Sequence, residues 1–332
     1  MGDIGYGVIG AGFFGEKHIE VLSRISGVKV LAASRRTKDA LKAVTGKYGI
    51  QKTYADYREL LADKSITAVS ITTHVDDHRN PAVDALKAGK HVFLEKPMAG
   101  TVEDCEAIIE AAKTAKGVLM VGHICRFDPR VALAKQAVAE GRIGEIVSMH
   151  AARNLPARIG ASVLDKISAL LGDGIHDTDI MMWLTGAKVK SVYAQEVAVR
   201  KFKHADIGWA MYRFANGAVG VVESIWCLPD TTPFAIDARM EIIGSKGSIN
   251  IDCGDAGLTV TDADGSRKPD TMYWPEVHGR RIGILKTEME YFLDCVRAGK
   301  PPTVITAKES RDVVEVMSAS ARSAAAGEIV RL

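Results

Sequence analysis

The sequence predicts an α/β protein of two domains, a doubly wound parallel sheet over residues 1–125 and a second α/β domain with a mostly antiparallel sheet over residues 126–332. Three observations predict this. Close to the start, VIGAGFFGE places Gly10, Gly12 and Gly15 at G-x-G-x-x-G spacing directly after an apolar run. Short apolar runs then alternate with helical patterns, the mark of βαβ units and a parallel sheet covered on both faces. Past residue 125 the periodicity changes, and tight-turn signals separate strand-like runs, as in antiparallel hairpins.

In the first half, residues 3–9, 28–33, 68–72, 91–95 and 118–122 read as strands, and residues 17–26, 38–48, 81–88 and 102–113 as helices. In the second, residues 211–226 form a hairpin about Asn216-Gly217, where both residues tolerate positive φ. Residues 240–252 repeat that plan about Gly244–Gly247, Asp264-Gly265 marks another turn, and residues 189–200 add a long strand. Helices are expected over residues 165–184 and within residues 286–325.

At 332 residues the chain accommodates two cores, and its 47% hydrophobic and 25% charged residues suit an ordinary globular protein. A net charge of +2 gives no reason to expect nucleic acid or an anionic membrane as partner. No apolar run approaches the roughly 20 residues that span a bilayer, and the N-terminus does not read as a secretory leader. Cys105, Cys125, Cys227, Cys253 and Cys295 form no C-x-x-C pair. That argues against a disulfide framework or a metal site and suits a reducing cytoplasm.

The glycine pattern alone is weak evidence, since a plain strand-to-helix turn also uses glycine. Here a strand precedes it and an amphipathic helix follows, the context of a dinucleotide cradle. Gly10 permits the tight turn, Gly12 the close approach of backbone to a pyrophosphate, and Gly15 the packing of helix on strand. The helix N-terminus, at Phe13 and Phe14, offers unpaired N–H groups to phosphate. At the end of the second strand an NAD site carries Asp or Glu; this chain has Ser34, Arg35 and Arg36. A hydroxyl and two guanidinium groups suit a 2′-phosphate, so NADP is expected and NAD is the alternative, with Arg35 and Arg36 then simply facing solvent.

AGKHVFLEKPMAG (residues 88–100) delivers Glu95, Lys96 and Pro97 to the carboxyl end of a buried strand, where open α/β sheets bind ligands. Lys96 is there either an exposed cation or a group that passes a proton to or from a substrate hydroxyl.

Together VIGAGFFGEKH, ITTHVDDH, GKHVFLEKP, GRIGEI, GIHDTDIMMWLTG, GSKGSI and YFLDCVRAGKPP, in that order, resemble the Gfo/Idh/MocA oxidoreductases along almost the whole chain. The resemblance implies an N-terminal Rossmann domain and a C-terminal α/β domain with a large open sheet, which pairs subunits into a homodimer or homotetramer. It implies NAD(P)-dependent dehydrogenase or reductase chemistry at a CH–OH group of a sugar, polyol or inositol. Lys96 becomes the acid/base, in a motif whose Lys-Pro bond is often cis; an X-Pro bond keeps that penalty near about 0.5–1 kcal/mol. Thr72, Thr73, His74 and His78 fall where the family lines the nicotinamide side, and His123 and Arg126 where it faces cofactor or substrate. The family motif D-x-G-x-H matches at His176, but its aspartate position holds Gly172, with Asp173 displaced by one. One residue is about 100° around a helix, which puts the role of Asp173 in doubt. Asp179 matches further along the helix, with a structural role. Asp177, Arg153, Arg158, Trp226 and Trp274 are further candidate substrate contacts; either tryptophan could instead pack in a sheet or an interface.

Two rival functions fit the same motifs. One is glycoside processing by internal redox, in which bound cofactor oxidises and re-reduces the substrate. The other is a non-catalytic dinucleotide-binding sensor, against which the retention of Lys96 and His176 argues.

Overall fold

The computed structural model describes residues 3–254 and 257–332. It divides into two units that are not simply consecutive: Met1–Ile124 with Tyr273–Val314, and Cys125–Met272 with Glu315–Leu332. The expected single division at residue 125 therefore meets a chain that changes unit three times.

In the first unit, β1 (Ile4–Ile9), α1 (Phe13–Leu22), β2 (Val28–Ser34), α2 (Lys38–Tyr48), β3 (Lys52–Tyr54) and α3 (Tyr57–Ala62) lead to β4 (Ala68–Ile71). Then come α4 (Arg79–Lys87), β5 (His91–Glu95), α5 (Val102–Thr114) and β6 (Leu119–Gly122). All six strands are parallel, in the order β3-β2-β1-β4-β5-β6. The order reverses between β1 and β4, the place where such sheets open a crevice at their carboxyl edge. Register makes that edge flush. Ile9 lies beside Ile71, and Ile71 beside Leu94, so Gly10, Thr72 and Glu95 leave the sheet in one row. Beneath it, Val69, Ile71, Val92, Leu94 and Val121 pack with Leu86 and Ile108 from the helices.

The second unit holds α6 (Pro129–Ala139), β7 (Ile146–Pro156) and the short α7 (Ala157–Gly160) and α8 (Ala169–Gly172), followed by α9 (Gly174–Thr185). After them come β8 (Val189–Val197), β9 (Ile207–Phe214), β10 (Val219–Leu228), β11 (Asp237–Gly244) and β12 (Ser248–Asp252). Two small hairpins follow, β13 (Val260–Asp262) with β14 (Gly265–Arg267), and β15 (Glu276–Val277) with β16 (Arg280–Arg281), the latter in the first unit. The chain closes with α10 (Ile284–Ala298), α11 (Ala307–Ala326) and β17 (Val330–Arg331). The large sheet runs β12-β11-β7-β10-β9-β8-β17, with one parallel pair, β7 with β10, among antiparallel neighbours. On β9 the burial alternates strictly, Trp209, Met211 and Arg213 pointing out and Ala210, Tyr212 and Phe214 in.

Several boundaries differ from expectation. Helix α1 begins at Phe13 rather than residue 17, so Gly15 lies inside it. The helix expected over residues 165–184 is broken at Asp173, and that within 286–325 is split at Gly299, which has φ 61° and precedes Pro301 and Pro302. Strand β3 and helix α3 were not expected at all.

Candidate functional site

In the first unit the glycine turn is shaped by backbone contacts a side chain would destroy. Gly10 has φ +93°, and a Cβ there would meet the Thr73 nitrogen at 2.7 Å. A Cβ on Gly15 would lie 2.4 Å from the Gly10 carbonyl oxygen. Gly12 differs: the nearest atom to an added Cβ is 3.9 Å away, so its backbone faces open space. Gly12 also gives α1 no side-chain cap, leaving the first N–H groups of the helix for an anion. The turn is tied to its neighbours by the Gly10 and Ala11 N–H groups, both donating to Ser34 O, and by Thr72 Oγ1, which donates to Gly10 O at 2.8 Å.

A cavity of about 380 Å³ opens at this edge. It gathers Gly10, Gly12, Ser34, Arg35, Arg36, Thr72, Thr73 and His74 from the expected set. It adds residues that sequence reasoning missed, among them Tyr57, Arg58, Asp77 and Asn80. Arg35 donates to Ala11 O at 3.1 Å, and the exposed Arg36 pairs with Asp77 at 3.0 Å. Arg58 lies over the Tyr57 ring, 4.7 Å from its centre. The cradle thus fits a dinucleotide: its phosphates would meet the α1 N-terminus and Gly12, and its adenosine end the Arg35–Arg36 turn.

Phe13, Phe14, Gly15, His78, Glu95, Lys96 and Pro97 do not line that cavity. The Phe13 ring is exposed, whereas Phe14 packs edge-on against His18 and Trp274. Trp274, offered as a sugar platform, is thereby placed in the nucleotide-binding unit. His78 is buried, its Nδ1 2.8 Å from Pro97 O and its Nε2 3.1 Å from Thr73 O, so it ties the turn after β4 to the turn after β5. Burial pushes its ionisation below the ordinary histidine range, and the two carbonyls oppose that. Lys96 is half-buried, follows Glu95 at the end of β5, and is joined to Pro97 by a cis peptide. His123 follows β6 and is buried.

In the second unit, β7 and α9 place their charged groups against each other. Arg153 forks onto Asp177, Nε to Oδ2 at 3.0 Å and Nη2 to Oδ1 at 2.8 Å, with both side chains buried. Burial is the main cause raising the Asp177 pKa, Arg153 opposing it. Arg126 forks likewise onto Asp179, at 2.9 and 2.6 Å, each side chain only 1% exposed, and its guanidinium lies over Trp183. Arg126, expected at the cofactor, thus forms an internal ion pair in this unit. Two buried charges in one unit satisfy each other before either reaches out. Arg158 is exposed, donating its backbone N–H to Asp230 Oδ1 at 2.7 Å and its guanidinium to Asp230 O.

The displaced aspartate has a steric cause. A Cβ on Gly172 would lie 2.4 Å from Cη2 of Trp226, so the indole fills the space that an aspartate would need. Trp226 is buried with Leu155, Leu164 and Ala169 and is no exposed sugar platform. Asp173 stands at the junction of α8 and α9, half-buried, its carbonyl accepting the His176 N–H. His176, in the first turn of α9, is buried. Among the described residues no cluster of His, Cys, Asp and Glu is built to hold a metal ion, and no helix is long and apolar enough to cross a membrane.

Comparison with known proteins agrees with this geometry. The model of an oxidoreductase family with an NAD-binding Rossmann fold matches residues 4–123, and that of the GFO/IDH/MocA C-terminal domain matches residues 131–250. The myo-inositol 2-dehydrogenase of Thermotoga maritima is 30% identical over 305 residues, 90% of each chain. The scyllo-inositol 2-dehydrogenase (NAD(+)) of Bacillus subtilis is 30% identical over 305 residues, 90% of this chain and 87% of its own. The scyllo-inositol dehydrogenase of Lactobacillus casei, solved with NAD(H) and scyllo-inositol, shares the fold with a TM-score of 0.85 at 23% identity, over 99% of each chain. A glycine cradle on a β3-β2-β1-β4-β5-β6 sheet, a Glu-Lys-Pro turn at its edge and these matches lead to one conclusion: the chain belongs to the Gfo/Idh/MocA family of oxidoreductases.

Proposed function

We propose that the protein moves a hydride between NADP(H) and a secondary hydroxyl or carbonyl carbon of an inositol-like polyol or sugar, with Lys96 as the acid/base. The observation that carries this reading is the flush edge of β1, β4 and β5, which brings the glycine turn, Thr72 and the Glu95-Lys96-Pro97 turn out in one row. When bound, the nicotinamide supplies the hydride exchange. The chain's own part is to bind, orient and move the proton. Lys96 takes the hydroxyl proton in oxidation and returns it in reduction. His176 and, beside it in sequence, Asp173 at the helix junction are the groups of the second unit proposed to orient substrate hydroxyls. The Arg153–Asp177 pair holds β7 against α9, stiffening the helix that carries His176.

The choice of NADP over NAD rests on Ser34, Arg35 and Arg36 at the end of β2, where no carboxylate stands, and on Arg58 in the same cavity. Among the described residues Asp77 is the one carboxylate lining it, in an exposed pair with Arg36 that a phosphate can displace. A homo-oligomer is supported by the outer face of the large sheet. There Tyr193, Trp209 and Met211 are exposed on the paired strands β8 and β9, with Trp209 stacked on His150 of β7. Exposed aromatic and apolar side chains on a sheet face suit a self-complementary contact.

Screening inositols, sugars and aldonic acids for a change in nicotinamide absorbance, with each cofactor in turn, tests the reading. Turnover of a cyclic polyol with a higher kcat/KM for NADP(H) is expected. Preference for NAD(H) removes the 2′-phosphate assignment, and absence of any turnover removes the enzymatic one.

A further inference from the structure

Glu288 lies on the inner face of α10 with Leu285, Met289 and Phe292, fully buried. Neither of its carboxyl oxygens has a hydrogen-bond partner among the described residues. Phe292, one turn further along the same face of α10, meets Phe93 edge-on, and Phe93 precedes Glu95 by two residues on β5, so both point to the same side of the sheet. Glu95 is itself held on both oxygens. Oε1 meets His18 Nε2 at 3.1 Å, and Oε2 accepts the backbone N–H of Lys96 at 3.2 Å. The other ring nitrogen of His18 lies 3.0 Å from Ser70 Oγ, and that oxygen 2.9 Å from Tyr6 Oη. Phe93 walls this group, edge-on to both His18 and Phe292. A Cβ on Gly122 would come within 3.0 Å of Glu95 Oε1, so the space is filled.

A carboxyl buried without any hydrogen-bond partner keeps its proton, because desolvation penalises the charged form. We propose that Glu288 is a positioning residue of the redox site, the proton-holding member of a buried carboxyl pair with Glu95. Neutral, it leaves undisturbed the hold that His18 and the Lys96 amide have on Glu95, which fixes the turn that bears Lys96. Burial first, and Glu95 second, raise the Glu288 ionisation well above the usual carboxyl range. The titratable groups of the cluster are Glu95 on β5, His18 on α1 and Tyr6 on β1, whose hydroxyl burial also pushes up. The inference rests on the acid/base reading of Lys96.

The test is a carboxyl titration of the full-length wild-type protein carrying 13C-glutamate, followed by NMR beside the pH profile of kcat for myo-inositol, or for whichever polyol of the panel turns over fastest. One glutamate is expected to stay protonated at neutral pH, and its ionisation to coincide with a loss of turnover on the alkaline side. In Glu288→Gln that signal and that alkaline loss should both vanish. Ordinary titration of every glutamate, or an alkaline limb unmoved in Glu288→Gln, overturns the proposal. Should the variant fail to fold, a mismatch between the two wild-type transitions overturns it equally. Normal turnover in Lys96→Met would instead sink the acid/base reading, and does so whatever the carboxyl signal shows.

Discussion

Replacing Arg126 by methionine should cost about 3–5 kcal/mol of stability, the usual penalty for leaving one member of a buried ion pair without the other. The structure sets that magnitude. Arg126 and Asp179 are each 1% exposed and joined by bonds of 2.9 and 2.6 Å, so no solvent is at hand to replace the guanidinium. The lost charge over Trp183, about 0.5–2 kcal/mol, is partly offset because a thioether also packs well on an indole. Urea denaturation followed by tryptophan fluorescence measures the loss, and Arg126→Met with Asp179→Leu should restore most of it, since no buried charge then remains. Cofactor affinity should change little in either variant. Unchanged stability in Arg126→Met, with cofactor binding weakened about tenfold or more (about 1.4 kcal/mol), would refute the internal role and return Arg126 to the nucleotide.

Two further outcomes follow from the same geometry. Gly172→Asp, which writes the family motif back into the chain, should destabilise rather than activate, because the new side chain meets the Trp226 indole; combining it with Trp226→Ala should relieve the clash, as thermal melts of the two variants will show. His78 has its folded-state ionisation lowered by burial, so its contribution to stability is present above the unfolded value of about 6.5 and is lost as pH falls below it. Between about pH 6.5 and the lowered value, wild type should therefore lose up to about 1.4 kcal/mol per pH unit more than His78→Gln in denaturant titrations, and parallel curves would contradict this.

The parallel sheet and its cradle were legible because they rest on local rules: apolar runs, a glycine pattern and helical periodicity. Helix α2 and strand β5 run as expected, from residue 38 to 48 and from 91 to 95. The start of α1 was misplaced because Gly12 and Gly15 read as loop, whereas Gly15 is a helical residue made small by the Gly10 carbonyl. Strand β3 was missed because its three residues show no apolar run. Helix α3 did leave a signal, Asp56 accepting from the Arg58 N–H with Glu59 three residues on, but only the fold shows that Tyr57 and Arg58 line the cavity. The pairings of Arg126 with Asp179 and Arg153 with Asp177 lie 53 and 24 residues apart. Sequence shows such groups as charges available for ligands, and only packing shows which of them are spent on one another. The same holds for Gly172, where the reason for the missing carboxylate is a tryptophan 54 positions downstream that folding brings against it.

The most direct test of the proposed chemistry is Lys96→Met, measured for nicotinamide-cofactor affinity by titration calorimetry and for polyol oxidation by steady-state absorbance. Cofactor affinity should stay close to that of wild type while kcat falls by about 10²-fold or more, the usual worth of a positioned acid/base. A variant that binds cofactor and turns over at nearly the wild-type rate would contradict the assignment of proton transfer to this lysine.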